Sequence, residues 1–272
     1  LPSFFDHNYR VSYSIIEEVK LLSQIKHKVV KKALISEKIK NKLEIHYDGD
    51  LPSRSGMGSS SSFVVGLLNN INFLKNKNID KIKLAYQSIN FEQKILKECV
   101  GSQDQIACST GGFNYIKFLK NGSFKLKKVN NKKYKDLLNK NLILLYTGQQ
   151  RTAQEIAKKF IGKLTKSKKQ NILNILDILN SSKKILKTRN IDDFGLLLHE
   201  SWKIKKSLDK SISNTEMDNI YNKAINYGAL GGKILGAGGG GFFLFYVPNE
   251  KRSFFLNKMK KFVNVSFKFS NS

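Results

Sequence analysis

The stretch Lys233-Ile234-Leu235-Gly236-Ala237-Gly238-Gly239-Gly240-Gly241-Phe242 sets four consecutive glycines between two apolar segments. It limits what the chain can fold into more than any other feature. A glycine inside a regular helix or strand costs about 0.5–1 kcal/mol relative to alanine. The run therefore predicts a tight turn at a point where a ligand or another length of backbone comes near. Its flanks, Lys233 to Leu235 and Phe242 to Val247, read as two short strands, followed by a helix from Glu250 and a last strand from Val263 to Phe269.

A second glycine-bearing string, Pro52-Ser53-Arg54-Ser55-Gly56-Met57-Gly58-Ser59-Ser60-Ser61-Ser62, leads directly into Phe63-Val64-Val65-Gly66-Leu67-Leu68, with Ile71 and Leu74 continuing at helical spacing. A helix starting near Ser59 follows. Gly56 and Gly58 let the main chain approach a polyphosphate, and the free amides of a helix start carry roughly half a unit of positive charge. The P-loop pattern GxxxxGK[ST] is missing, and no GxGxxG follows a strand. By composition alone, the string fits a phosphate cradle and an ordinary serine-capped helix start equally well.

Around these two strings the chain reads as α+β in two parts. Asp80 predicts an N-cap for an amphipathic helix carrying Leu84, Ile89 and Ile95 towards Lys97. Phe113 to Phe118 alternates, and Asn121-Gly122 before Ser123 to Val129 predicts a hairpin. Leu142 to Tyr146 is a compact apolar strand ended by Thr147-Gly148. Beyond it Thr152 to Leu186, Asp192 to Leu208 and Asn214 to Tyr227 read as helices, the last closed by Gly228. This change of composition places the domain boundary near Lys140, with domains at 1–140 and 141–272.

The chain carries 48 Lys and Arg against 21 Asp and Glu, a formal charge of +27. Such an excess suits nucleic-acid phosphates. The cations, however, are almost all lysine and are scattered over every segment; only Arg10, Arg54, Arg151, Arg189 and Arg252 are arginine, the residue that groove readers favour. The expectation is a solvated lysine surface with no nucleic-acid partner, able to draw anionic substrates inward. No apolar run approaches the roughly 20 residues that cross a bilayer, so no membrane partner is expected and the cytoplasm is the expected location. Cys99 and Cys108 have no metal-ligand spacing and read as neutral thiols.

The string from Pro52 resembles the second motif of the GHMP kinase superfamily, Pro-x-x-x-Gly-Leu-Gly-Ser-Ser-Ala, with Met57 at the Leu position and Ser61 at the Ala position. Gly101-Ser102-Gln103-Asp104-Gln105 is similar to the segment carrying that family's catalytic aspartate. The glycine run resembles its C-terminal motif. The resemblance implies a two-domain fold with an N-terminal β/α domain and a C-terminal ferredoxin-like α/β sandwich elaborated by long helices. It implies ATP bound over Pro52, Ser53, Ser55, Gly56, Met57, Gly58, Ser59, Ser60 and Ser61, and Mg2+ held by Ser60 and Glu92. It further implies Asp104 as the base, with Asp104, Arg151, Gly238 and Gly239 meeting a small-molecule acceptor between the domains of a monomer or homodimer. The segments 101–118, 146–153 and 198–203 resemble the sugar-phosphate branch, implying a heptose 7-phosphate as acceptor at its anomeric hydroxyl.

Phosphoryl transfer needs positioning and neutralised charge, so an anion-cradling loop, a Mg2+ held by a hydroxyl and a carboxylate, and an acceptor-side base form a sufficient set. One family feature departs: the N-terminal Gly-Gly-Gly-Thr-Asp motif is not in the sequence, and Leu1-Pro2-Ser3-Phe4-Phe5 resembles what ordinarily follows it. Lys203 and Lys206, beside Trp202, are further candidates for positive charge near a substrate, whereas Trp202 and His199 read as packing residues.

Overall fold

A computed structural model describes residues 8–52, 55–150, 153–162, 164, 167–186 and 190–269. Its strands are β1 (Tyr9–Ser12), β2 (Ile16–Val19), β3 (Glu44–His46), β4 (Asn114–Phe118), β5 (Phe124–Lys128), β6 (Leu142–Tyr146), β7 (Gly231–Ile234), β8 (Phe242–Tyr246) and β9 (Asn264–Val265). Its helices are α1 (Lys28–Ser36), α2 (Ser59–Leu74), α3 (Lys81–Asn90), α4 (Gln103–Thr110), α5 (Lys132–Asn141), α6 (Ala153–Ile161), α7 (Lys169–Ile185), α8 (Asp192–Lys206), α9 (Thr215–Asn226) and α10 (Arg252–Lys258). Two compact units result, one of Leu1–Pro52 and Gly58–Gly111, the other of Ser53–Met57 and Gly112–Ser272.

In the first unit, β1 pairs antiparallel with β2 and parallel with β3, giving the order β2-β1-β3. Val64, Leu67, Leu68 and Ile71 fall on one face of α2 and are buried with Val11, Val30, Leu34 and Phe91. Each such side chain contributes about 1.5–3 kcal/mol on leaving water. Asp80 caps α3 as expected, accepting from the amides of Ile82 and Lys83 at 2.9 Å. The helix does not run on regularly towards Lys97. It widens into a π turn at Phe91–Ile95, a feature common at functional sites.

In the second unit, β6, β7, β8 and β9 form an antiparallel sheet in the order β7-β8-β6-β9. Counted by the sheet's own strands this is 2-3-1-4, the ferredoxin-like arrangement that the resemblance implied. β6 and β8 are apolar at every position because both faces are covered. Ile143, Leu145, Phe243 and Phe245 pack with Trp202, Tyr221 and Phe255, while Leu142 and Tyr246 pack with Tyr134, Leu138 and Ile191. The second cluster also gathers Phe113 from just before the β4–β5 hairpin. It thereby ties Gly112–Asn141 to the second unit, whereas composition alone suggested a boundary near Lys140.

The hairpin itself forms around Gly122, at φ 82°. The helical stretch read from Thr152 to Leu186 is two helices, parted at Gly162. The last strand shrinks to Asn264–Val265. Beyond it Phe267 and Phe269 turn into the same cluster as Phe113, and Phe269 N donates to Asn139 Oδ1 at 3.0 Å. Helices α1, α4 and α5 and the three-stranded sheet add to the elements read from sequence. No described helix is long and apolar enough to cross a membrane.

Candidate functional site

In the first unit the site starts where α2 starts. Gly58 takes up φ 71°, no side chain caps the helix, and no acid lies in its first turn. The first-turn amides therefore remain open donors at the positive end of a four-turn helix. A Cβ on Gly58 would lie 3.7 Å from Asp104 Cγ and Oδ2, so the Asp104 carboxylate stands directly against this helix start. Asp104 itself sits in the first turn of α4, which packs on both α2 and α3. Its side chain reaches water, yet the protein crowded around it desolvates the carboxylate and holds it above its ordinary range.

Glu92 is 1% exposed. Ser61 Oγ lies 3.1 Å from both of its carboxylate oxygens, and Gln105 Nε2 donates to Oε2. Burial pushes this carboxyl up to about 7; donation from Ser61 opposes the rise, and the charges of Glu98 and Asp104 add to it. Ser60, expected beside Mg2+ with Glu92, is exposed one helical position away. Successive helix residues diverge by about 100°, so when Ser61 faces Glu92, Ser60 points elsewhere. Cys108, on the same helix as Asp104, is reachable from solvent. Desolvation and then the nearby Asp104 and Glu92 charges push its thiol up to about 11, which keeps it neutral.

In the second unit the two glycine strings meet backbone to backbone. A Cβ on Gly241, at φ +94°, would fall 1.9 Å from Ser55 O. A Cβ on Gly56 would fall 2.7 Å from Leu235 O, and one on Gly236 would fall 2.7 Å from Gly56 Cα. No side chain other than hydrogen fits such an approach. The glycine run is thus the close backbone contact that its composition predicted, and the neighbour is Ser55–Gly56. Gly239 N donates to Ile212 O and Gly241 N to Gln149 O, each at 2.8 Å, while Thr147 donates to Gly241 O. Gly238 and Gly239, expected to meet acceptor, are buried, and a Cβ on Gly238 would meet Ile212.

Ser55 is fully buried, and its hydroxyl has no hydrogen-bond partner among the described residues. Such an orphan costs about 1–3 kcal/mol, and a phosphate oxygen is the kind of acceptor that would satisfy it. In the first unit, an open helix start with two carboxylates at hand suits a nucleotide phosphate with a divalent ion. No cluster of three His, Cys, Asp or Glu side chains occurs among the described residues, so phosphate and water oxygens would have to complete the ion's shell. Ser53, Arg54 and Arg151 lie outside the described residues.

Several of these contacts are not legible in the sequence. Gln105 adjoins Asp104 in the chain but bonds Glu92, and Gln149 receives an amide of the glycine run. Lys203 and Lys206 turn to Glu200 and Asp218, at 3.0 and 2.7 Å, and the lysine that reaches the glycine run is Lys205. Trp202 is core, and His199 Nδ1 meets Tyr221 OH at 2.7 Å. A surface cavity lined by Asn69, Asn70, Phe73 and Asn76 lies at the far end of α2 and shares none of this chemistry.

Comparison with known proteins matches the GHMP kinases N terminal domain over residues 22–112 and the GHMP kinases C terminal domain over residues 182–265. The first match contains Gly58, Glu92 and Asp104, and the second contains the glycine run. A D-glycero-alpha-D-manno-heptose 7-phosphate kinase from Campylobacter jejuni is 32% identical over 226 residues, or 80% of this chain. A galactokinase from Pyrococcus furiosus is 26% identical over 234 residues, or 75% of it. The chain spans 65% and 64% of the lengths of these two relatives. Among solved structures, a D-glycero-D-manno-heptose 1-phosphate kinase from Bacteroides thetaiotaomicron has a TM-score of 0.72 at 22% identity, covering 97% of this chain and 81% of that one. That likeness is one of fold.

Proposed function

We propose, from the premise that this chain belongs to the GHMP kinases, that it transfers the terminal phosphoryl group of ATP to the anomeric hydroxyl of a sugar phosphate in the cytoplasm. The acceptor we infer is D-glycero-D-manno-heptose 7-phosphate, giving the 1,7-bisphosphate used to make nucleotide-activated heptose. The relative from Campylobacter jejuni supports that choice by the substrate in its name. One observation carries the reading: the Asp104 carboxylate stands against the uncapped start of α2, 3.7 Å from where a Gly58 Cβ would be.

In this reading the open amides at the start of α2, from Gly58 onward, bind and orient the phosphates, with no reorganisation needed when charge develops. A Mg2+ bound with them would offset the phosphate charge, held by Glu92 and a serine hydroxyl of the first turn of α2. Asp104 takes the proton from the acceptor hydroxyl. Desolvation raises its basicity, and an anomeric hydroxyl is more acidic than an ordinary alcohol, so proton and base are well matched.

The test is a panel of acceptors with labelled ATP and Mg2+: heptose 7-phosphate, heptose 1-phosphate, unphosphorylated heptose and galactose. The expected result is fastest transfer to the 7-phosphate, with the new phosphate at C1. Asp104→Asn is expected to lower turnover by about 10²- to 10⁴-fold with little change in ATP affinity. Preference for galactose would replace the heptose assignment by a neutral sugar, the acceptor suggested by the galactokinase relative. Wild-type turnover in Asp104→Asn would remove Asp104 as the base.

A further inference from the structure

Lys205 lies in the last turn of α8, and its Nζ is 2.9 Å from Ile234 O and 2.6 Å from Gly236 O. These carbonyls sit where β7 ends and the glycine run begins. The last hydrogen bond beside them is Leu235 N to Phe242 O at 2.9 Å, after which the chain leaves the sheet. Gly236 is also the residue pressed on Gly56, so that a Cβ added to it would lie 2.7 Å from Gly56 Cα. Gly56 in turn stands two residues before Gly58, from which α2 starts.

We propose that Lys205 is a positioning residue: by holding the carbonyls of Ile234 and Gly236, its ammonium sets the glycine run against Ser55–Gly56 and so shapes the loop that leads into α2.

The surroundings separate this lysine from a surface ion pair. On α8, Lys203 is engaged by Glu200, and Lys206 by Asp218 of α9. Lys168, before α7, donates to Ser207 O, and Asp209 accepts from Ser211 N. β8 contributes no charged residue, and β7 contributes Lys233, a like charge. The ammonium of Lys205 therefore bonds to the main-chain carbonyls of Ile234 and Gly236. Burial, with Lys233 adding to it, brings its pKa down to about 7, so the charge on the latch changes near neutrality. A charged donor holds a carbonyl more strongly than a neutral amine. The latch is expected to weaken as pH rises through that value.

The proposal rests on reading 52–62 as the phosphate loop, so the experiment has one arm that needs no nucleotide. That arm is hydrogen-exchange protection at Leu235, Gly239 and Gly241, whose amides donate to the carbonyls of Phe242, Ile212 and Gln149 respectively. The second arm is the Kd for Mg-ATP. Lys205→Met is expected to lose protection at these amides and to bind nucleotide about tenfold more weakly. Lys205→Arg is expected to restore both. Wild type is expected to loosen between pH values below and above about 7, with Lys205→Arg flat over the same range. Should Lys205→Met fail to fold, the comparison of wild type with Lys205→Arg across pH decides. A folded Lys205→Met with unchanged protection, or a wild type as flat as the arginine variant, overturns the latch. A wild type that binds no nucleotide sinks the phosphate-loop reading instead, and the exchange arm still decides the latch.

Discussion

Glu92 bears the clearest electrostatic cost in the first unit. Its carboxyl stands at about 7 against an ordinary 4.5, chiefly through burial. Between those two values the folded chain holds a proton that the unfolded chain releases, so the contribution to stability falls as pH rises through this window and stays low above it. Glu92→Gln removes a charge that the fold would rather not hold. Gln105 can receive the new amide, because its Oε1 is buried with no partner among the described residues and its side chain can flip. The variant is expected to be more stable than wild type above about pH 7, by up to about 3 kcal/mol, with the gain shrinking towards pH 4.5. Urea unfolding at several pH values checks this. Loss of Mg-dependent transfer in the same variant would mark a carboxylate kept for function at a cost in stability. No gain at high pH would show that the burial cost is absent.

At the scale of elements, the close approach of the two glycine strings predicts a sharp contrast between glycines. Gly241→Ala places a Cβ 1.9 Å from Ser55 O at a φ of +94°, and no rotamer can relieve a clash with backbone. The expected cost is at least about 2 kcal/mol, with nucleotide affinity falling as Ser55–Gly56 is displaced. Gly66→Ala lies on the exposed side of α2 with nothing within 4 Å of the new Cβ. It is expected to stabilise by about 0.5–1 kcal/mol through helix propensity alone. Denaturation midpoints of the two variants, measured side by side, test the claim. A neutral Gly241→Ala would mean that the strings are not packed as described. The start of α2, the cap at Asp80, the β4–β5 hairpin and β6 are legible in the sequence because each depends on neighbours a few residues away. The break at Gly162 and the short β9 are not. A strand stops where the rest of the fold offers better packing, as Phe267 and Phe269 find beside Phe113.

Over the whole molecule the charge of +27 is spread through both units, from Lys31-Lys32 to Lys127-Lys128 and Lys260-Lys261. Some of it is paired, as in Lys75–Glu37 at 3.0 Å and Lys206–Asp218 at 2.7 Å. A dispersed lysine surface is expected to hold duplex DNA weakly at low salt, without sequence preference, and to release it near about 0.15 M salt. Anisotropy titrations with unrelated duplexes check this; tight, sequence-dependent binding at that salt would restore a nucleic-acid role. The sequence by itself determined the two glycine strings, the aspartate that lies between them and the family to which they point, because those features are local in the chain. Only the tertiary structure decided that Ser61 rather than Ser60 meets Glu92, that Gln105 shares that carboxylate, and that Lys205 holds the glycine run. It also decided that Gly112–Asn141 joins the second unit. These outcomes depend on the direction of a side chain about a helix and on partners brought together from distant parts of the chain, and neither is written in the spacing of residues.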